Sequence, residues 1–256
     1  MHRYLNQIIA ITHRILTELV RVRRSLIFWV VFPTLMLLLF GLIYSGGKHT
    51  AKSFDSTAPG ILIGAALFFS CLAGPVALIV AERERRTLRR LLLSPLKPTS
   101  YFLGIVFAYF IIAFGQAIVV YGIAFIFGGR FHGSLLLGLL IVCLSVFSFV
   151  GLGFFFGARF TKRTEDVNGP VAAFGVPLLV LGGTFFPVSI LPPYLLAVAY
   201  LDPIFHMNQA LKGVSALGQG VEDISTHLIF LVVFTVVSLI LGVGSYKSIL
   251  DQEKRA

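Results

Sequence analysis

The chain has 256 residues, of which 57% are hydrophobic and only 12% are charged, whereas typical soluble domains are about 25% charged. This composition excludes a soluble globular protein, because too little charge is available to cover the surface of a fold of this size. A net charge of +10 would suggest a nucleic-acid partner in a soluble protein. Here the charges fall in short clusters between long apolar stretches, so no nucleic-acid partner is expected.

The N-terminal arm, residues 1–25, is predicted to be a cytoplasmic amphipathic helix that lies in the membrane interface. At 100° per residue, apolar side chains share one face, and these are Leu5, Ile8, Ile9, Ile15, Leu16 and Leu19. Basic and polar side chains, including Arg3, Arg14 and Arg21, cluster nearly opposite. Such a helix buries its apolar face among lipids and keeps its arginines near the anionic headgroups. The alternative is an arm that serves only as a topological anchor.

Six apolar stretches follow, each long enough to cross a bilayer core of about 30 Å as a helix. They contain no Asp, Glu, Lys or Arg, and they cover residues 26–44, 60–80, 101–127, 135–158, 169–187 and 228–246. The alternating segments of a β-barrel are missing from the sequence. The predicted fold class is therefore an all-α integral membrane protein, with a six-helix transmembrane domain over residues 26–246 and a cytoplasmic tail at 247–256.

The basic residues predict the orientation of these spans. Seventeen of the 21 Lys and Arg residues lie in the arm, the second and fourth loops and the tail, and four lie in the other three loops. Since positive loops stay in the cytoplasm, both termini are predicted to be cytoplasmic. We expect a multi-pass protein of the prokaryotic plasma membrane, with membrane lipids as partners.

The loop after the second span, residues 82–95, is the most informative segment. Leucines recur at nearly every helical repeat among arginines, with Leu88, Leu91 and Leu92 on one edge. The segment ends at Ser94-Pro95, where proline disfavours helix in the preceding residue. The pattern predicts a short amphipathic helix presented to a cytoplasmic partner. The alternative is a basic topology determinant that lies on lipid headgroups.

This loop resembles that of the permease subunits of ABC type-2 transporters, which commonly reads Glu-x-Glu-x-Gly-Thr-Leu-Glu-x-Leu-Leu-x-Ser-Pro. Eight positions match in register, namely Glu82, Glu84, Thr87, Leu88, Leu91, Leu92, Ser94 and Pro95. Two depart from the pattern: Arg86 stands in place of glycine and Arg89 in place of an acidic residue. A second match, near the end of the fifth span, is similar to the Gly-x-Phe-Phe-Pro element of that family and covers residues 183–187.

The resemblance implies a half-transporter that forms a dimer with a second permease copy above two cytosolic ATPase subunits. The loop after the second span would dock on those subunits. The implied ATPase-coupling residues are Glu82, Glu84, Thr87, Leu88, Leu91 and Leu92, and the implied secondary cytoplasmic contact comprises Lys162, Arg163, Glu165 and Asp166. The resemblance also implies an outer gate in a re-entrant segment between the fifth and sixth spans. Its residues are Phe185, Phe186, Pro187, Pro192 and Pro203. The alternative is a segment that serves only as a structural cap.

No phosphate-binding loop is recognisable, because Gly46-Gly47-Lys48-His49 lacks the earlier glycine and the following Ser or Thr of the P-loop. No metal-ligand spacing is present, and no catalytic cluster stands out. We therefore expect a transport subunit without its own ATPase site or cofactor, with ATP and Mg²⁺ bound by the partner subunit.

Gln116 is the only strongly polar residue within the predicted spans, and it is predicted to lie at a dimer seam or on the cargo path. The leading hypothesis is the permease subunit of an ABC exporter that moves a hydrophobic, lipid-linked or drug-like cargo. The alternative is a membrane anchor or sensor module that recruits a cytosolic partner without transport.

Overall fold

The computed structural model describes residues 2–85, 87, 96–160, 163 and 167–255, and all regular structure in these ranges is helical. In chain order the α-helices are α1 (His2–Arg21), α2 (Arg23–Ser45), α3 (Thr50–Gly60), α4 (Gly74–Glu84), α5 (Pro98–Ile126), α6 (Leu135–Arg159), α7 (Asn168–Leu181), α8 (Pro193–Ala199), α9 (Pro203–Leu217) and α10 (Ser225–Arg255). A π-helical segment, Ile61–Ala73, joins α3 to α4. The prediction of an all-α fold is confirmed for the residues that the structure describes.

Five helices of the described chain are long and apolar enough to cross a membrane. They cover Arg23–Ser45, Thr50–Glu84, Thr99–Ile126, Leu135–Arg159 and Ser225–Ser245. They correspond to the first, second, third, fourth and sixth predicted spans. The second is the most enclosed, with 78% of its apolar window buried, so it forms the centre around which the other helices pack.

Helix α1 packs along the beginning of α5. Ile11 and Ile15 are buried, and the Thr12 hydroxyl donates to the carbonyl of Gly104 at 3.0 Å. Only part of the apolar face of α1 is therefore buried against the bundle, since Leu5 and Ile9 remain exposed. An amphipathic helix held in this way is fixed to the bundle along part of its length.

The helix Thr50–Glu84, at the centre of the bundle, comes close to neighbouring backbone at two pairs of glycines. A Cβ atom added to Gly153 of α6 would lie 2.8 Å from the carbonyl oxygen of Leu72, and one added to Gly157 would lie 3.1 Å from that of Val76. The Gly60 and Gly64 positions instead accommodate Thr184, in the loop after α7. Small residues at these spacings let backbones come together. Gly153 and Gly157 bring one helix against another, whereas Gly60 and Gly64 bring a helix against a loop.

The fifth predicted span differs most from expectation. Helix α7 has 14 residues and ends at Leu181, whereas the apolar pattern predicts a helix that continues to Pro187. The reason lies in the next two residues, because Gly182 ends the helix and Gly183 adopts a positive φ of 76°, a conformation that glycine takes without steric cost. The chain then turns through Val188–Ile190, a 3₁₀-helical turn, into α8 and α9.

Candidate functional site

The carboxylate of Glu82, at the end of α4, joins three helices at the end of the bundle where α1 lies. Glu82 is only 4% exposed. Its Oε1 atom accepts a hydrogen bond from Nη2 of Arg14 in α1 at 2.8 Å, and its Oε2 atom accepts one from the hydroxyl of Tyr101 in α5. Arg14 is also paired with Glu18 at 2.9 Å. Buried charges are stable only when paired and hydrogen-bonded, and Glu82 meets both conditions.

Two further side chains hold the beginning of the predicted coupling segment. Nη1 of Arg83 donates to the carbonyls of Gly157 and Ala158, at 3.3 and 3.2 Å. These carbonyls belong to the last turn of α6, where backbone acceptors lack partners within the helix. The Thr87 hydroxyl donates to the carbonyl of Glu82 at 3.1 Å. The segment therefore leaves α4 tied to α1, α5 and α6.

The other residues of the predicted cytoplasmic contacts are only partly described. Glu84 and Arg163 are exposed. Leu88, Leu91 and Leu92 lie outside the described residues, as do Lys162, Glu165 and Asp166. Their contact with an ATPase stays a prediction, whereas Glu82 directs its carboxylate into the bundle and positions the segment from within.

The residues of the predicted outer gate gather at the opposite end of the bundle. The Tyr44 hydroxyl, at the end of α2, donates to the carbonyl of Phe185 at 2.6 Å. The ring of Phe40 lies 5.6 Å from that of Phe185 and 5.7 Å from that of Phe186, between centroids. Nδ2 of Asn208 donates to the carbonyl of Gly182 at 2.7 Å. The loop after α7 is thus fixed to both α2 and α9.

The three prolines of the predicted gate lie at or directly before helix starts. Pro187 precedes the 3₁₀ turn, Pro192 precedes α8, and Pro203 is the first residue of α9. Proline is favoured at such positions, because its missing N–H would have no helical acceptor there. The prolines therefore define where the chain changes direction between α7 and α10.

Gln116 makes its hydrogen bonds within the chain. Nε2 donates to the carbonyl of Trp29 at 2.8 Å, and Oε1 accepts from the hydroxyl of Ser70 at 2.8 Å. The Trp29 carbonyl is available because the residue four positions later in α2 is Pro33, which has no N–H to donate. Gln116 thus supplies the hydrogen bond that Pro33 removes, and it connects α5 to α2 and to the π-helical segment.

A Gln116→Leu substitution is expected to destabilise the protein by about 1–3 kcal/mol, since it leaves the Trp29 carbonyl and the Ser70 hydroxyl buried without this partner. The penalty should shrink in a Pro33→Ala background, where a backbone N–H returns opposite the carbonyl. Thermal unfolding of the four proteins of this double-mutant cycle in detergent measures the difference. Equal penalties in both backgrounds would contradict the assignment.

A pair of histidines joins α9 to the start of α10, and the sequence gives no local signal for it. Nδ1 of His206 lies 2.9 Å from Nδ1 of His227, and Nε2 of His206 lies 3.0 Å from the carbonyl of Tyr200. Because a carbonyl only accepts, Nε2 of His206 donates, and in the neutral pair His227 donates to His206. Among the described residues no group of three His, Cys, Asp or Glu side chains is placed to hold a metal ion.

Asp202 begins α9 and is buried. Its Oδ1 atom accepts a hydrogen bond from the backbone N–H of Ile204 at 2.9 Å, whereas Oδ2 has no partner among the described residues. Burial raises the pKa of Asp202 from 3.8 to about 7, and the bond from Ile204 opposes only part of that shift. The carboxyl is therefore expected to be protonated in mildly acidic solution.

Stability is expected to fall as the pH rises from about 4 to about 7, by at most about 1.4 kcal/mol for each pH unit. The sign follows from the raised pKa, because the folded protein then binds the proton more tightly than the unfolded chain. Melting temperatures at pH 5 and pH 8 test this. An Asp202→Asn variant, which keeps the cap but cannot ionise, should lose the dependence, and an undiminished slope in that variant would assign it to other groups.

Comparison with known proteins agrees with these features. Residues 6–215 match the family model described as ABC-2 type transporter. The chain is 26% identical over 219 residues to the inner membrane transport permease YadH of Escherichia coli strain K12, covering 81% of each protein.

Two further relatives from the same strain are described as probable multidrug ABC transporter permeases. The chain is 30% identical to YbhR over 135 residues, which are 52% of this chain and 36% of YbhR. It is 25% identical to YbhS over 188 residues, which are 72% of this chain and 49% of YbhS. The chain thus matches about a third of YbhR and about half of YbhS. With most of its length inside the family model and several apolar helices long enough to span a membrane, this chain belongs to the ABC-2 type transporter family and is a multi-pass membrane permease.

Proposed function

We propose that this permease is the membrane subunit of an exporter driven by a separate cytosolic ATPase, which binds the ATP and Mg²⁺. The observation that carries the proposal is the buried Glu82 carboxylate, which joins α1, α4 and α5 at the start of the predicted coupling segment. A displacement of that segment is transmitted to three helices at once, because packed elements move between discrete arrangements. Two copies of the chain above two ATPase subunits would complete the transporter.

The proposed topology has six spans with both termini in the cytoplasm. Five helices have the required length, and α7 supplies the remaining passage with 14 residues. At 1.5 Å per residue this helix is about 21 Å long, so the loop after it would lie within the membrane, packed against α3 and α9. Irregular backbone is tolerated at membrane depth when it is buried against protein, as Gly182 and Thr184 are.

A hydrophobic or lipid-linked cargo is supported by an apolar recess between α5 and α6. Its volume is about 380 Å³, within the range of about 300–1,000 Å³ typical of small-molecule sites. The lining is almost entirely apolar and includes Leu62, Phe110, Phe114, Phe131, Leu139 and Val142. The names of YbhR and YbhS, which refer to multidrug transport, agree with a cargo of this chemistry.

The experiment is co-expression with each cytosolic ABC ATPase of the source organism, followed by reconstitution of the resulting complex into proteoliposomes. We expect a stable complex, and ATP-dependent movement of a fluorescent hydrophobic dye away from the ATPase side. The matched control is an ATPase that binds but does not hydrolyse ATP. A stable complex without nucleotide-dependent movement of dyes or labelled lipids would favour the anchor or sensor module, and the lack of any complex would refute the ATPase coupling.

A further inference from the structure

A small polar pocket lies at the end of the bundle opposite to α1, between α2, α3, the loop after α7 and α9. Its volume is about 50 Å³, room for about four water molecules at 10–15 Å³ each, or for a group the size of a phosphate. Its polar lining includes the side chains of Tyr44, Ser56, Thr57, Asn208, Gln209 and Lys212. The pocket contrasts with the apolar recess between α5 and α6.

Lys212 is a half-buried cation without a counter-ion in the described part of the chain. No described Asp or Glu residue lines the pocket, and Asp55, on α3, pairs with His132 and accepts from the N–H of Arg130. Lysine is rarely withdrawn from water unless it is paired, and burial lowers the pKa of Lys212 from its usual 10.5. An anion in the pocket would supply the missing charge.

Asn208 provides a second, independent feature of the same pocket. It is 4% exposed, and its Nδ2 atom donates to the Gly182 carbonyl and to Oγ1 of Thr184, which fixes the orientation of the amide. Oδ1 is then left buried without a hydrogen-bond partner among the described residues. Asn208 and Lys212 are four residues apart on α9, so they lie on the same face of that helix. The pocket therefore offers one cation and one unused acceptor side by side.

We propose that this pocket binds the phosphate of a hydroxyl-bearing anionic head group, with Lys212 pairing with the phosphate and Oδ1 of Asn208 accepting from a hydroxyl. The small volume admits the polar group alone, so any attached chains would lie outside the pocket. The same chemistry is offered by an anionic phospholipid and by a free glycerol phosphate. This inference is independent of export, because binding requires neither ATPase nor nucleotide.

The test measures binding to the purified full-length chain in detergent by isothermal titration calorimetry. The probes are dihexanoyl phosphatidylglycerol, dihexanoyl phosphatidylcholine and glycerol 1-phosphate. We expect phosphatidylglycerol to bind more tightly than phosphatidylcholine, which has the phosphate but no net charge and no hydroxyl. Competition by glycerol 1-phosphate at equal concentration would support the site and identify a soluble anion as its source. Binding of phosphatidylglycerol without such competition would support the site and identify a lipid.

The variant Lys212→Met keeps the unbranched shape and most of the length of the side chain and removes its charge, and we expect it to weaken phosphatidylglycerol binding at least tenfold. Lys52→Gln is the matched control, because it removes an exposed lysine at the same end of the bundle and should leave affinity unchanged. Gln209→Glu places a carboxylate three residues before Lys212 and should weaken binding in a chain that keeps every lysine. Unchanged affinity in Lys212→Met, or an equal loss in Lys52→Gln, would overturn the proposal.

Discussion

A Glu82→Gln substitution is expected to reduce ATP-dependent transport at least tenfold in the reconstituted complex while leaving the permease in the membrane. Glutamine keeps the size of the side chain and an acceptor for Tyr101, but it removes the charge that holds Arg14. Truncating one partner of a buried ion pair costs about 3–5 kcal/mol. Because Arg14 is one-third exposed and the amide remains polar, we expect a smaller loss of stability, about 1–3 kcal/mol.

Glu18→Gln is the matched control for this prediction. It removes the other carboxylate that contacts Arg14, but that pair is exposed and lies within α1, where such pairs contribute about 0.3–0.5 kcal/mol. Transport should therefore remain close to wild type. An Arg14→Gln, Glu82→Gln double variant should lose little beyond either single variant, since both disrupt one contact. Wild-type transport by Glu82→Gln would show that this carboxylate has no part in coupling.

A Gly151→Leu substitution is expected to prevent α10 from docking on α6 and to leave little folded protein. A Cβ atom at Gly151 would lie 2.7 Å from the carbonyl oxygen of Ser238, and one at Gly242 would lie 2.5 Å from that of Gly151. Both obstacles are backbone atoms, which cannot rotate away as a side chain can. Overpacking typically costs about 1–3 kcal/mol, occasionally more, and we expect this contact to lie at the upper end.

The control is Gly122→Leu in α5, where an added Cβ atom meets no other group within 4 Å. Both variants add the same side chain to a glycine within a predicted span, so a difference between them reports the helix contact alone. The measurements are the yield of monodisperse protein and its melting temperature. Equal behaviour of the two variants would mean that α6 and α10 can separate without loss of the fold.

The five long apolar helices were predictable because their length and apolar composition can be read from the local sequence. The starts of α8 and α9 also have a local cause, because Pro193 and Pro203 are the first residues of these helices, where proline is favoured. The early end of α7 was not predictable. The apolar run continues past Gly182, and a hydropathy profile carries no information about one residue with a positive φ. The helix at Thr50–Gly60 was missed for the converse reason: its polar sequence reads as a loop, and packing against α2 and α9 holds it.

The site was predictable only in part. The resemblance to ABC type-2 permeases located the segment after the second span. No pattern in the sequence indicates that Glu82 pairs with Arg14, 68 residues earlier. Likewise, Gln116 stands out as a polar residue in an apolar span, which suggests a dimer seam or, as the alternative, a cargo path. Its actual partners depend on where Pro33 and Ser70 fall in three dimensions. Polar contacts of this kind join residues that are far apart in the sequence, so they depend on the fold and cannot be predicted from local sequence patterns.

The contact between Gln116 and the carbonyl left free by Pro33 has an evolutionary consequence. A proline at position 33 is tolerated inside an apolar helix as long as another side chain satisfies the carbonyl that it leaves free. A glutamine at position 116 is useful there only as long as that carbonyl is free. Selection therefore acts on the two positions jointly, although they lie 83 residues apart. Among descendants of a common ancestor, a chain that has lost either Pro33 or Gln116 should tolerate substitution of the other residue. The two positions are therefore expected to change together.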